Sequence, residues 1–125
     1  WQRDSNKAVE VIPGSNIMGP RELLAEMGPF DEALKLYFPE DDLCRRLLDH
    51  GKAIHFVGDA LLLHHEHAST AQVQRLASQI YFQDLVTFSR KHYGAGHTAL
   101  LQVLMWPTRW GMDLAQRLRG EKTRL

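Results

Sequence analysis

Chain-breaking residues divide this sequence before any apolar pattern is considered. Pro13-Gly14, Gly28-Pro29, Gly51 and Gly58-Asp59 confine regular structure in the first half to short segments, and Tyr93-Gly94-Ala95-Gly96-His97 interrupts the second half. Within the short segments the periods alternate. Val9, Val11 and Ile17 read as a strand interrupted by the turn Pro13-Gly14-Ser15-Asn16. Pro20 at a first helical position, then Leu23, Leu24 and Met27, read as a short helix stopped by Gly28 and Pro29. A second helix is expected from Glu40 to His50, with Leu43, Cys44, Leu47 and Leu48 as its buried stripe and Gly51 as its stop.

Ile54–Val57 and Ala60–Leu63 show little alternation and predict two short, largely buried strands. A third helix is expected from Ala71 to His92, capped by Ser69 or Thr70, with Val73, Leu76, Ile80, Leu85 and Phe88 facing in. A fourth helical segment begins near Thr98 and is interrupted at Pro107. This order predicts an α/β fold with helices packed on a small mixed sheet, followed by a helical tail.

A chain of 125 residues is large enough for one small domain that buries roughly two thirds of its unfolded surface. Fifteen basic residues balance fifteen acidic ones, so no global field points to nucleic acid. The single cysteine, Cys44, excludes an internal disulfide framework and fits a reducing compartment. No signal peptide is visible, and no apolar run approaches the about 20 residues a spanning helix needs. The chain opens mid-pattern without an initiator methionine, as a piece of a longer protein would.

Four groups of residues could carry chemistry. Glu40, Asp41 and Asp42 stand together at the start of the second helix, after Tyr37 and Phe38. Acids in a first turn interact favourably with the helix dipole, each by ~0.3–1 kcal/mol, which is the purely structural reading. Three adjacent carboxylates exceed that need. Their repulsion raises at least one pKa, as a general base requires. His64, His65 and His67 surround Glu66 at the end of an apolar run, where neutral imidazoles suit a divalent metal; a polar loop is the alternative. The turn Gly14-Ser15-Asn16 permits close backbone approach to a ligand, or is a turn with none. From Trp106 to Leu125, five basic and two acidic residues accompany Trp106, Trp110, Met112, Leu114 and Leu118. Such a tail suits a membrane interface or a partner groove, and equally a helix packed on its own domain.

Taken in order, "VIPGSNIMGPRELLAEMGPFDE", "LKLYFPEDDLCRRLLDHG", "ALLLHHEHAST" and "FSRKHYG" resemble the C-terminal half of family 2 glycosyltransferases, in the rhamnosyltransferase-like branch. The matching residues are Gly14, Met18 and Arg21; Gly28, Phe30, Asp31 and Glu32; Glu40 to Cys44 with Arg46; and His64 with Ser69. The similarity spans residues 9 to 94. It implies the acceptor-binding part of a GT-A fold over residues 1–94, with residues 95–125 as a basic amphipathic tail.

In such enzymes an acid of this motif deprotonates an acceptor hydroxyl, which attacks the anomeric carbon of a nucleotide-diphosphate sugar with inversion. Here that base is Glu40 or Asp41, since a gapless match and a one-residue shift assign it differently. The resemblance further implies that Asp31, Asp42 and Arg46 shape the acceptor side and that Gly14, Ser15 and Asn16 approach substrate. It implies that His64, with His65, lies near a divalent metal, Mg or Mn. Pro29 and His67 stand where the family has glycine, and in the gapless match Pro39 stands where it has Glu.

No Asp-x-Asp precedes the acidic run, so the donor-binding half, with most of the metal's ligands, is expected outside this chain, which would be inactive alone. The implied partners are a nucleotide-diphosphate sugar and a glycan or lipid-linked acceptor in polysaccharide biosynthesis. The expected location is cytoplasmic, at the inner face of the membrane through the tail. The alternatives are a non-catalytic glycan- or membrane-associated module of the same fold, and a small metal-dependent hydrolase using Asp41, Asp42, His64 and His65.

Overall fold

The computed structural model of the protein describes residues 5–28, 30–63 and 74–118. Helices combine with a two-stranded antiparallel sheet in the order β1 (Lys7–Val9), α1 (Arg21–Met27), α2 (Pro39–Asp49), β2 (Ile54–Phe56) and α3 (Gln74–Leu118). The chain divides into two compact units, Trp1–Phe88 and Ser89–Leu125.

In the first unit, β1 and β2 pair in the register Lys7↔Phe56, Ala8↔His55 and Val9↔Ile54. The β-branched pair Val9 and Ile54 suits a pleated surface, and Ile54 is buried. Asn6 Oδ1 accepts the Gly58 N–H at 2.8 Å, closing the end of the ladder. The sheet expected to be mixed is thus antiparallel among the described residues. Ala60–Leu63 is not a strand; a turn at Gly58-Asp59, closed by the Ala60 N–H on the Val57 carbonyl at 3.2 Å, leads into it. Leu61 and Leu63 are 92% and 84% exposed, against the burial expected from their apolar run. The first strand likewise ends at Val9, short of Pro13, which has no N–H to give a ladder.

The helices lie close to where the breakers place them. Pro20 is the residue before α1, and its carbonyl accepts the Leu24 N–H at 3.0 Å. Gly28 ends α1 with φ +80°. The end of α2 is a Schellman motif, in which Lys52 N–H reaches the Leu47 carbonyl and Gly51 N–H the Leu48 carbonyl, each at 2.9 Å. Gly51 takes the left-handed φ of +69° that this motif demands.

The core of the first unit is small: Leu34, Leu43, Cys44, Ile54 and Ala77 are its buried apolar residues among those described. Two acids lie among them, Asp42 and Asp84, with 0% and 1% exposure. Asp84 sits in the middle of α3. Its Oδ1 accepts the Lys35 N–H at 3.0 Å, and its Oδ2 accepts Leu36 N–H at 2.9 Å and Tyr37 N–H at 2.8 Å. Around these bonds pack aromatic rings. Tyr37 meets Tyr81 edge-on at 5.2 Å, and Phe38 lies between Tyr81 at 5.4 Å and Phe88 at 5.6 Å.

The packed side of α3 in this unit therefore runs through Ala77, Tyr81, Asp84 and Phe88. Leu76, expected to face in, is 52% exposed. The inward face follows the carboxylate's need for N–H partners rather than the largest apolar side chain.

In the second unit the backbone departs from helical geometry at Gly94, with φ +81° and ψ 176°. Thr98 Oγ1 donates to the Gly94 carbonyl at 2.8 Å and is 3.1 Å from Ser89 Oγ; both hydroxyl residues are buried. The expected break at "YGAGH" is thus a single-residue one, with helix resuming before Thr98. Helical backbone continues through Pro107, where an interruption was expected, although this residue cannot donate to the Val103 carbonyl.

Replacing Asp84 by Ala would leave three N–H groups in a partly buried segment without their acceptor. The expected loss is about 3 kcal/mol or more, read as a lower urea midpoint, with faster amide exchange at Lys35, Leu36 and Tyr37. Asp84→Asn, which keeps one accepting oxygen, is expected to fall between.

Candidate functional site

Three elements build the acidic site: the Pro13–Asn16 turn, the segment 35–38, and the first turn of α2. Asp84 fixes the middle one. That anchoring ends at Phe38, which adopts φ +67° and ψ +5° as the residue before α2. For a residue with a Cβ this conformation costs roughly 1–2 kcal/mol, so it persists only where surroundings impose it. Here the rings of Tyr81 and Phe88 hold the Phe38 side chain, and its carbonyl accepts the Asp42 N–H at 2.9 Å. Pro39 at the first helical position needs no N–H partner. The three carboxylates then follow on successive sides of one helical turn, and each meets a different environment.

Glu40 is half-buried and faces the turn. A Cβ built at Gly14 would lie 3.2 Å from Glu40 Cδ and 3.3 Å from both carboxylate oxygens. Glycine leaves this approach uncrowded, and a Cβ there would ask the end of Glu40 to shift by a few tenths of an ångström. Four residues along the same face, the Ile12 backbone lies close enough to the Cys44 thiol to favour its ionised form. Residues 12–14 therefore run along the start of α2. Ser15 and Asn16 are exposed beside Gly14, the turn being closed by the Asn16 N–H on the Pro13 carbonyl at 3.5 Å.

Asp41 is also half-buried. Burial first, and the adjacent Glu40 charge second, raise its carboxyl above its ordinary value, while a hydrogen bond from its own backbone opposes them. Burial likewise pushes the Cys44 thiol up, against the influence of the Ile12 backbone, with the charges of Asp41 and Glu40 adding to the rise. Cys44 is therefore a protonated packing residue and not a poised nucleophile.

Asp42 has no exposed surface. Its Oδ2 accepts from Arg46 Nε at 2.9 Å, one turn on, and Arg46 also donates through a terminal nitrogen to the Met27 carbonyl at the end of α1. This pair ties α1 to α2, and its part in any site is to set the first turn from behind. Asp31 serves its own loop, where its Oδ1 accepts the Ala33 N–H at 2.9 Å and its carbonyl the Leu34 N–H at 2.9 Å. The structure thus brings Gly14, Glu40 and Asp41 together, joins Asp42 to Arg46, and uses Asp31 locally. His64 and His65, with His67, Ser69 and Thr70, lie outside the described residues. Among the described residues no three His, Cys, Asp or Glu side chains converge as a metal site.

Asp84 is the residue that sequence reasoning passed over. The signal was available: a lone carboxylate between Tyr81 and Phe88 on an otherwise apolar helical face. Such a group stays buried only with several donors, and successive backbone N–H groups are the readiest supply.

What these groups can do chemically is move a proton. A partly exposed carboxyl with a raised pKa, beside a second carboxylate and a close-approaching backbone turn, is suited to accept a proton from a bound hydroxyl. The same raised value has a signed effect on stability. The folded chain holds the Asp41 proton more tightly than the unfolded chain, so stability falls as pH rises from the ordinary carboxylate range through the raised folded value. Asp41→Asn is accordingly expected to raise the urea midpoint at neutral pH, with the gain vanishing below the unfolded pKa. Denaturation curves across pH for both chains test this.

Comparison with protein-family models, with curated proteins and with solved structures finds no match to this chain.

Proposed function

We propose that this chain is the acceptor side of an inverting, metal-dependent family 2 glycosyltransferase, with Asp41 as its catalytic base. The observation that carries the reading is the meeting of the Gly14 turn with Glu40 beside a carboxyl raised by burial and by that same glutamate. A helix start capped for stability alone has no use for a backbone turn brought this close to one acid, nor for an acid made harder to ionise.

In this reading an acceptor hydroxyl lies against the first turn of α2. Asp41 takes its proton as the oxygen forms a bond to the anomeric carbon of a nucleotide-diphosphate sugar. The bond to the leaving diphosphate breaks on the opposite side, and the configuration inverts. Glu40 adds to the rise of the Asp41 pKa that burial begins, and the exposed Ser15 and Asn16 beside Gly14 meet the substrate. Asp42 and Arg46 hold the turn's orientation, and Asp31 shapes the neighbouring loop. A divalent metal, Mg or Mn, would neutralise charge at the leaving diphosphate when bound. His64 and His65 belong to its surroundings, and most of its ligands belong to a donor-binding half outside these residues. The acceptor is a glycan or a lipid-linked glycan, which suits an enzyme of polysaccharide assembly working on the cytoplasmic side of a membrane. By itself the chain binds acceptor without turnover.

The test is transfer from nucleotide-diphosphate sugars by the full-length protein carrying this segment. Asp41→Asn is expected to lower kcat about 10²–10⁴-fold. Glu40→Gln is expected to retain most transfer but to move the acidic limb of kcat/KM to lower pH, because one of the two influences raising Asp41 is gone. Near-normal transfer by Asp41→Asn would remove the catalytic reading.

A further inference from the structure

The backbone of residues 35–37 has a single support. Upstream of it the Leu34 N–H bonds the Asp31 carbonyl, and downstream the Asp42 N–H bonds the Phe38 carbonyl, each at 2.9 Å. Between those two, the backbone hydrogen bonds among the described residues are the three that Asp84 accepts. Tyr81 and Phe88 stand three residues before and four after Asp84, so the three share one face of α3. That face takes the strip's N–H groups with its carboxylate and the Tyr37 and Phe38 rings with its own. Stability is a weak reason for this arrangement, because burying a carboxylate costs much of what its bonds return. What a fully bonded buried carboxylate does supply is one fixed position for whatever it holds.

We infer that Asp84 is a positioning residue for proton transfer, fixing through residues 35–38 the place from which Asp41 meets the acceptor hydroxyl. The inference rests on the reading of Asp41 as the base. The connection is short and stiff. Phe38 is held in its left-handed conformation by two rings, Pro39 has its φ set by its own ring, and Asp41 follows within the same helical turn. A base must lie about 2.6–3.2 Å from the oxygen it deprotonates, so a small displacement of this turn slows the step. Asp42 and Arg46 hold the turn from the side of α1, and Asp84 holds it from the side of α3.

The experiment is steady-state transfer from nucleotide-diphosphate sugars by the full-length protein carrying this segment, at a temperature where urea curves show each variant folded. Asp84→Asn keeps the size of the side chain and one accepting oxygen. It is expected to lower kcat by about 10–10²-fold with the donor KM unchanged. Tyr81→Leu, at an exposed position, loosens the ring half of the same face and is expected to lower kcat by less. It keeps the test decisive if Asp84→Asn fails to fold. Ile54→Val, in β2, is the control: it is expected to lower the urea midpoint while kcat stays at the parental value. A purely structural Asp84 would behave like this control. Parental kcat in Asp84→Asn and Tyr81→Leu, with Asp41→Asn inactive, would overturn the positioning role and leave the catalytic reading standing. Parental kcat in Asp41→Asn would remove both.

Discussion

A carboxylate inside a protein either collects hydrogen-bond donors or gives up its charge, and Asp84 collects three from consecutive residues. Those donors belong to an otherwise irregular strip of chain, Lys35 to Tyr37, which has no ladder or helix of its own to satisfy them. One side chain on α3 thus does for this strip what a neighbouring strand would do in a sheet. The position of α2 follows from it. The strip leads through the left-handed Phe38 directly into Pro39 and the acids, leaving few free torsions between the anchor and the first turn.

That first turn illustrates how position alone differentiates identical chemistry. Three adjacent acids, within one sequence motif, become a carboxylate against a backbone turn, a carboxyl made reluctant to ionise, and a buried partner of an arginine. Helical geometry turns each successive residue by about 100°, so neighbours in sequence face different surroundings. The helix dipole acts on all three alike and does not distinguish them. Burial and near neighbours do, and among the three they raise the carboxyl of the middle residue. Asp42, the most buried of the acids, couples α2 to α1 through Arg46 and the Met27 carbonyl.

Helix ends and breaks were legible at Gly28, Gly51 and Gly94, whose conformations are open to few other residues, whereas Pro107 did not interrupt its helix. The apolar stripe of α2 was legible through Leu43 and Cys44. What could not be read is what depends on partners distant in sequence. An apolar run such as Leu61-Leu62-Leu63 has the composition of a buried strand, but pairing is decided by a neighbour and not by the run. The inward face of α3 was misassigned at Leu76 for the same reason: the strip it serves is about fifty residues upstream. At the site, the acidic run announced itself. Its separation into three roles required the positions of Gly14, Ile12 and Arg46, none of which charge patterning contains.

Gly14 and Glu40 occupy a shared volume, and this ties their identities together through length. A methyl group added at Gly14 would meet the Glu40 carboxylate at 3.2–3.3 Å, tighter than ordinary contact, so the acid would have to give way by a few tenths of an ångström. An alanine at position 14 would be accommodated most easily by an aspartate at position 40, which withdraws its oxygens by one methylene. The reverse swap, a shortened acid opposite glycine, would leave a gap that water enters. The residue at position 14 is thus tied to the placement of an acid that 25 intervening residues separate from it in sequence.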